Sequence, residues 1–355
     1  MPEPKLTRRQ FLALSAVAAA APAAFALQAC DSGSEERVVN FFNWSKYIGP
    51  DTLSRFTRRT GIRVNYEEFS DEEAMFAKLR SGARGYDLAI GADYMISRFK
   101  GLNLIDPFPS GALRNIGNID PRFRKTPYDP QDAYTVPYLW GTTGIGFNRQ
   151  FLPRAPQSWR DLWDPRYQGK ISMLDNSRDC VSTALLMLGY PETADDAQLE
   201  QAKKLLLSQR PLVKQYNSST YMDSLITGDV LLAMGWSGDI LQACREKPQL
   251  DYAIPREGSY LWVDNLILVR GSRHRADTLR LVDYLLEPET AAGIADAVRY
   301  ATPNRAAMPL LDKSLREDPR VFPGPELSKR LRFHQQLDPA TVQAWNELWS
   351  DVKVG

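Results

Sequence analysis

The chain has few of the residues that most often bind metals or act as nucleophiles. Its 355 residues include three cysteines and two histidines, and neither His274 nor His334 stands in a ligand-spaced cluster with cysteines or carboxylates. It also lacks a glycine-rich phosphate loop and a Gly-x-Ser-x-Gly nucleophile elbow. We therefore predict no metal, no cofactor and no enzymatic activity. An exported enzyme remains the alternative, because paired carboxylates catalyse hydrolysis in some enzymes.

Net charge is also close to zero, with 44 lysines and arginines against 43 aspartates and glutamates. Residues 1–30 contain three basic residues and one acidic residue, so the remainder has 41 basic and 42 acidic side chains. The sequence contains neither a basic stripe nor a polybasic patch. We therefore predict no binding to nucleic acid and no electrostatic binding to an anionic membrane surface.

Two of the three cysteines, Cys180 and Cys244, lie in the body of the chain. An oxidising compartment would permit a disulfide between them, but nothing in the sequence brings the two together. Two buried free thiols are the prediction.

The third cysteine, Cys30, ends a segment that is typical of bacterial export signals. Arg8 and Arg9 form the pair of a twin-arginine signal, and an uncharged, alanine-rich run follows over residues 11–29. Residues 27–30, Leu-Gln-Ala-Cys, are similar to a lipobox, in which the cysteine is lipidated and becomes the new N-terminus. The segment therefore predicts export followed by lipidation.

A transmembrane anchor is the alternative for this segment, because about 20 apolar residues span a bilayer. Pro22 and the weak hydrophobicity of alanine favour a signal instead. We predict an export and lipoprotein signal over residues 1–30 and a polar tether over 31–37. Asp31 is similar to the inner-membrane retention mark of Gram-negative lipoproteins. The predicted location is periplasmic or otherwise extracytoplasmic, with lipidated Cys30 as the anchor in the inner membrane.

After residue 37, segments with strand and helix patterns alternate. Ser70-x-x-Glu73 has the capping-box pattern of a helix start, and Gly61 and Gly82 are typical helix ends. Strands are predicted at 38–42, 62–66, 86–90, 144–148, 170–174, 230–234 and 266–269, and helices at 50–60, 71–81, 177–188, 197–207, 240–246 and 276–286. This order predicts an α/β protein whose mostly parallel sheets form two lobes around a crevice, with connections near residues 140 and 262.

Six segments of the sequence resemble one family in their order and spacing. They are Asn43-Trp44-Ser45-Lys46-Tyr47-Ile48, residues 86–94, residues 137–148, residues 228–239, residues 255–264 and Tyr300-Ala301-Thr302-Pro303-Asn304. Over nearly all of the chain after the signal, they are similar to the spermidine/putrescine-binding proteins of ABC transporters. The resemblance implies a two-lobed periplasmic-binding-protein fold of type II, with residues 38–140 and 264–308 in lobe 1 and residues 141–263 and 309–355 in lobe 2. It also implies a monomer that closes on putrescine or spermidine and delivers it to an ABC permease and its ATPase.

A polyamine is a flexible alkyl chain with ammonium groups at intervals. Its receptor needs carboxylates to pair with those groups and aromatic faces to cover the methylenes between them. The resemblance implies that ten residues have these roles: Trp44, Tyr47, Tyr94, Asp179, Trp236, Asp239, Trp262, Asp264, Tyr300 and Gln335.

Each of these residues also has an ordinary structural alternative. The aromatic residues fit a core equally well. Asp264, the principal ammonium partner in the prediction, would otherwise be a surface turn acid. Asp239 would otherwise stabilise a helix dipole. Asp179 has a shorter side chain than the glutamate of the family and reaches a ligand through water in this interpretation.

The sequence departs from the family pattern at three places. Asn176 stands where spermidine-binding members have an aspartate, and Lys46 stands at a position that is acidic in some members. Ala92 replaces a common serine, while Asp93 beside it adds an acid. These changes leave a diamine, or an amine that carries its own carboxylate, as alternative ligands. A signalling receptor of the same fold, which reports the ligand to a membrane sensor, is the alternative to a transport receptor.

Overall fold

The computed structural model describes residues 37–82, 85–152 and 154–354. The predicted export signal, Cys30 and most of the tether lie outside the described residues. In the part of the chain that is described, no helix combines the length and the apolar character needed to cross a membrane.

A mixed sheet forms the centre of the fold. Its strands, in chain order, are β1 (Val38–Trp44), β2 (Arg63–Phe69), β3 (Leu88–Ala92), β4 (Ile105–Asp106), β5 (Val136–Asn148), β6 (Ile171–Met173), β7 (Val213–Tyr216), β8 (Leu232–Trp236), β9 (Leu250–Ala253), β10 (Ser259–Val269) and β11 (Leu331–Phe333). The main path through the sheet is β2-β1-β3-β10-β5-β8-β6-β7. Strands β4 and β11 pair with β10, and β9 pairs with β5.

Helices connect these strands and pack against the sheet. They are α1 (Thr52–Thr60), α2 (Glu72–Arg80), α3 (Ile96–Gly101), α4 (Ser177–Leu188), α5 (Asp196–Gln209), α6 (Tyr221–Thr227), α7 (Ser237–Glu246), α8 (Arg275–Leu285), α9 (Pro288–Val298), α10 (Lys313–Arg316), α11 (Pro325–Ser328) and α12 (Pro339–Val354). Most of the predicted strands and helices are present, with bounds that differ by a few residues.

Strand β5 passes from one part of the sheet to the other. Its first residues pair with β10, and its last residues pair with β8 and β9. Strands β2, β1 and β3 are parallel on one side, which we call the β1 half. Strands β7, β6 and β8 are parallel on the other side, which we call the β8 half. Strands β5 and β10 run antiparallel to each other, β10 runs antiparallel to β3, and β5 runs antiparallel to β8. These two strands therefore join the two parallel half-sheets.

The sequence predicted only the end of β5, at residues 144–148, and the strand begins eight residues earlier at Val136. The strand contains Pro137 and three glycines. Because proline and glycine are poor strand formers, the sequence pattern does not indicate the whole strand. The glycines allow close packing instead. An ideal Cβ at Gly141 would lie 2.7 Å from the indole ring of Trp262.

The capping-box prediction for α2 was wrong by one residue. Asp71 is the N-cap, and its carboxylate accepts a hydrogen bond from the backbone N–H of Ala74 at 2.6 Å. Glu73 instead forms an ion pair with Arg98. The sequence permits both registers, since Ser70 and Asp71 are both good capping residues. The shift places Glu72, and not Glu73, on the buried face.

The pairing of β5 with β10 is irregular beside Asp264. Asp264 lies opposite Leu139, whereas Asn265 lies opposite Pro137, so Tyr138 is the extra residue of a β-bulge. Bulges bend a strand and redirect the side chains beside it. This bulge lies where the chain passes between the two halves.

Candidate ligand-binding site

A crevice of about 900 Å³ lies between the β1 half and the β8 half. Nine of the ten predicted site residues line it: Trp44, Tyr47, Tyr94, Asp179, Trp236, Asp239, Trp262, Asp264 and Tyr300. Trp44 is the last residue of β1 and Trp236 is the last residue of β8. The crevice therefore lies at the carboxyl ends of parallel strands, where α/β proteins place their ligands.

Aromatic rings from both halves meet across the crevice. The rings of Trp44 and Trp236 have centroids 6.1 Å apart and are tilted by 56°. The ring of Tyr300 makes edge contacts with Tyr47 at 5.2 Å and with Trp262 at 5.3 Å. Together these rings form a wall of broad apolar faces, which suits an alkyl chain and also attracts cations.

The position of the Tyr300 ring depends on a glycine beneath it. An ideal Cβ at Gly238 would lie 2.4 Å from that ring, so a methyl group has no room. We expect Gly238→Ala to lower the free energy of unfolding by about 1–3 kcal/mol, because the ring must move. Urea unfolding followed by tryptophan fluorescence measures this change.

The matched control is Gly101→Ala. Gly101 also lies in a helix, but a Cβ there meets nothing within 4 Å. Its substitution should change the free energy of unfolding by no more than about 0.5 kcal/mol, or raise it slightly. Equal stability of the parent protein and Gly238→Ala would contradict the packing of Tyr300 described here.

Asp239 is held by two tyrosine hydroxyls. The hydroxyl of Tyr300 donates a hydrogen bond to its carboxylate at 2.6 Å, and the hydroxyl of Tyr221 donates one at 2.9 Å. Burial raises the pKa of this carboxyl group, and Lys46 opposes that rise. Asp239 also lies in the first turn of α7, so both interpretations made from the sequence fit its position. It makes no side-chain capping bond there.

Asp179 belongs to the β8 half and accepts hydrogen bonds from Thr143 Oγ1 at 2.6 Å and from Trp236 Nε1 at 3.3 Å. Burial raises the pKa of its carboxyl group. Asn176, one of the departures from the family pattern, caps α4 by accepting a hydrogen bond from the backbone N–H of Asp179 at 3.1 Å. The amide therefore fixes the helix turn that carries Asp179.

Asp264 lies beside the β-bulge and is buried, so its role as a surface turn acid is excluded. Burial raises the pKa of its carboxyl group to about 7, and the hydroxyl of Tyr47 opposes that rise. Polar atoms that line the crevice and are buried without a hydrogen-bond partner in the described residues include Nε1 of Trp262 and Oγ of Ser218. Buried polar atoms are rarely left unpaired, so such atoms mark places where a ligand or water binds.

Sequence analysis did not identify Glu72, which also lines the crevice. Its carboxylate accepts hydrogen bonds from the backbone N–H of Ala92 and from the hydroxyl of Tyr94, both at 2.8 Å. Burial raises the pKa of Glu72 to about 8, and Asp264 adds to the rise. Glu72 was not identified because the predicted start of α2 was wrong by one residue, and the predicted capping box assigned a role to Glu73 instead.

Gln335 does not line the crevice, and its role in ligand binding stays a prediction. Its backbone N–H donates to Glu192 at 2.6 Å. The neighbouring residue His334 lines the crevice instead, and its ring stacks on Tyr260 with centroids 4.6 Å apart. Nδ1 of His334 lies 2.8 Å from Glu192, which also pairs with Arg178. His334 therefore connects the crevice to the buried ion pair of Arg178 and Glu192.

The two other departures from the family pattern lie at the edge of the crevice or behind it. Lys46 is exposed and has a left-handed backbone conformation, with φ of 56°. Asp93 is buried, and its carboxylate accepts hydrogen bonds from the backbone N–H groups of Tyr94 and Val263. Asp93 therefore fastens the end of β3 to β10 and does not line the crevice.

Four buried or half-buried carboxylates thus face one crevice: Glu72, Asp179, Asp239 and Asp264. Within residues 37–82, 85–152 and 154–354, none of the four forms an ion pair with a lysine or an arginine. A buried carboxylate is costly unless a cation pairs with it. The crevice therefore has the charge and the aromatic faces for a cationic, partly apolar ligand.

Comparisons with known proteins agree with this arrangement. Residues 84–326 match the model of the family described as bacterial extracellular solute-binding protein. The spermidine/putrescine-binding periplasmic protein of Escherichia coli is 32% identical over 350 residues, which cover 98% of each chain.

Two solved structures are similar over most of the chain. The spermidine/putrescine ABC transporter substrate-binding protein PotD of Streptococcus pneumoniae is 32% identical, with a TM-score of 0.79 over 90% of this chain and 99% of that one. The TpPotD lipoprotein of Treponema pallidum is 25% identical, with a TM-score of 0.81 over 90% of this chain and all of that one. The fold is the two-lobed periplasmic-binding-protein fold of type II, and the chain belongs to the family of bacterial extracellular solute-binding proteins.

Proposed function

We propose that this protein captures a polyamine, putrescine or spermidine, in the crevice between its two halves. The observation that carries the proposal is the set of four crevice carboxylates without a lysine or arginine partner in the described residues. Ammonium groups supply the missing positive charge, and the aromatic wall covers the methylenes between them. The relative from Escherichia coli is named as a spermidine/putrescine-binding protein, which supports the same ligand class.

In this proposal the loaded receptor delivers its ligand to an ABC permease and its ATPase. The Streptococcus pneumoniae protein is named as the substrate-binding protein of such a transporter, which supports this role. The receptor acts as a monomer outside the cytoplasm. No catalytic step is required, because binding and release are sufficient for delivery.

The two lobes of this proposal are residues 38–140 with 264–308 and residues 141–263 with 309–355. The change of pairing partners along β5, near residue 142, supports a boundary there. The contact between Trp44 and Trp236 joins the two lobes across the crevice. Ligand release then requires these rings to separate by a hinge motion.

The identity of the bound ligand tests the proposed function. Protein purified from its native compartment under mild conditions is analysed by mass spectrometry before and after denaturation. We expect release of a small polyamine, and stripped protein should bind added putrescine or spermidine again. A bound compound without an amine would overturn the proposal.

Lipid anchoring is a separate part of the proposal and concerns residues outside the described range. Cleavage before Cys30 and acylation of that residue should place the mature protein in the membrane fraction. Mass spectrometry of its N-terminal peptide should show the acyl mass, and Cys30→Ser should shift the protein out of that fraction. The Treponema pallidum neighbour is named as a lipoprotein, which supports this expectation. A soluble parent protein with an unmodified N-terminus elsewhere would contradict it.

A further inference from the structure

We propose that Glu72 is an ammonium-binding residue and that it forms with Asp264 a carboxylate pair that receives one charged end of the ligand. This inference rests on the proposed function, since it assigns a further residue to the same crevice. Neither the family resemblance nor the order of sequence motifs pointed to Glu72.

The backbone places the two carboxylates side by side. Glu72 Oε1 lies 2.8 Å from the backbone nitrogen of Ala92, the last residue of β3. Ala92 is the direct register partner of Asp264 on the antiparallel strand β10. Residues paired in this way have Cα atoms about 4.5–5.5 Å apart. The carboxylate of Glu72 is therefore fixed at the strand next to Asp264.

The hydrogen bonds of Glu72 leave it able to bind a ligand. Tyr94 donates to Oε2 and Ala92 donates to Oε1, and these two bonds hold the carboxylate in one orientation. A carboxylate has about four acceptor positions, so about two remain. Glu72 lines the crevice, so these positions are within reach of a ligand. An alkylammonium group has three N–H donors and can use acceptors from both carboxylates.

The charge of Glu72 has no other evident partner. The residue is 5% exposed, and it forms no ion pair with a lysine or arginine in the described ranges. The adjacent Glu73 offers the contrast, because it is exposed and pairs with Arg98. Both residues lie in the first turn of α2, so both interact favourably with the helix dipole. The dipole alone therefore does not explain why Glu72 points into the crevice.

Glu72→Gln tests this inference, because it keeps the shape and removes the charge. Glu73→Gln is the matched control on the same helix turn. Calorimetric titration with putrescine and with spermidine should show a loss of affinity of roughly 30-fold to several thousand-fold for Glu72→Gln, the range expected when one partner of a buried charge pair is removed. The control should bind within about twofold of the parent. Thermal unfolding without ligand above about pH 8, where Glu72 is ionised, should show that Glu72→Gln is at least as stable as the parent, since it removes an unpaired buried charge.

Parent-like affinity of Glu72→Gln would overturn the inference and leave the proposed function intact. If the parent protein itself bound no polyamine, the proposed function would fail. Should Glu72→Gln not fold, Glu72→Asp gives the answer. It keeps the charge but withdraws it by one methylene, so it must also weaken binding by several-fold. Unchanged affinity of that variant would equally overturn the inference.

Discussion

Asp264→Asn is expected to weaken putrescine and spermidine binding by roughly 30-fold to several thousand-fold. The estimate is the cost of truncating one partner of a buried charge pair, about 2–5 kcal/mol. Asp264 lies beside the bulge where β5 passes between the halves, and its carboxylate faces the crevice. The asparagine keeps the shape of the side chain but does not supply the charge that an ammonium group needs. Calorimetric titration of each ligand into both proteins measures the effect.

Asp351→Asn provides the control for a lost surface charge. Asp351 lies in α12 and pairs with Lys203, and its side chain is largely exposed. Exposed ion pairs contribute little, so this variant should bind both ligands as the parent does. If Asp264→Asn bound both polyamines with parent affinity, the hypothesis that this crevice pairs its carboxylates with ammonium groups would be wrong.

Polyamine affinity is expected to rise steeply between about pH 5.5 and pH 8.5. Burial raises the pKa of Asp264 to about 7 and that of Glu72 to about 8. Both groups are therefore protonated in much of the unliganded protein at neutral pH, and an ammonium group binds their ionised forms. Binding releases protons in this window, and each released proton adds a factor of at most about ten per pH unit. Because both carboxyl groups must ionise, these values predict roughly several-thousand-fold tighter binding at pH 8.5 than at pH 5.5.

Asp93 lies near this pair, and burial raises its pKa to about 6, so it ionises in the lower part of the same pH window. The imidazole of His334 also lines the crevice. The hydroxyls of Tyr47 and Tyr94 have a pKa far above this range because they are buried. The alkylammonium groups stay charged until about pH 10. Titrations in buffers with different ionisation enthalpies measure the protons released, and an affinity that is flat from pH 5.5 to pH 8.5 would contradict the coupling.

The stability of the unliganded protein should change in the opposite direction. In the unfolded chain the carboxyl groups of Glu72 and Asp264 lose their protons near pH 4, whereas in the folded protein they retain them to about pH 7–8. Their contribution to stability is complete below pH 4 and is lost as the pH rises through the folded values. Glu192, whose pKa is lowered to about 2, stays ionised above pH 5 and does not mask this trend. Thermal unfolding without ligand should therefore occur at a lower temperature at pH 8 than at pH 5.5, and saturating polyamine should reduce the difference.

Much of the fold was predictable from the sequence, because alternating apolar segments mark the parallel strands of each half. The strands that join the halves were harder to predict. The beginning of β5 contains Pro137 and Gly141, and its burial on both faces leaves no alternating pattern to recognise. Strand β10 likewise begins at Ser259, seven residues before its predicted start at residue 266. Long-range packing determines that these segments form strands, and local residue propensities do not indicate such packing.

In the site, as in the fold, residues at strand ends were predictable from the sequence, whereas residues whose burial depends on packing were not. Trp44 and Trp236 end their strands and line the crevice, because topology brings strand ends together, and their role in ligand binding stays a prediction. Glu72 was missed because its burial depends on which residue caps α2. Gln335 does not line the crevice, whereas its neighbour His334 does, and the role of Gln335 in ligand binding stays a prediction. A difference of one residue is invisible in composition, yet it decides which side chain faces the crevice.

The most direct test of a polyamine receptor is a calorimetric titration of the parent protein, stripped of ligand, at pH 8. Putrescine and spermidine are compared with 1,4-butanediol, a neutral analogue of putrescine that keeps its four-carbon chain. The four crevice carboxylates predict saturable one-to-one binding of at least one polyamine and no detectable binding of the diol. Failure of both polyamines to bind, or equal binding of the diol, would contradict the account.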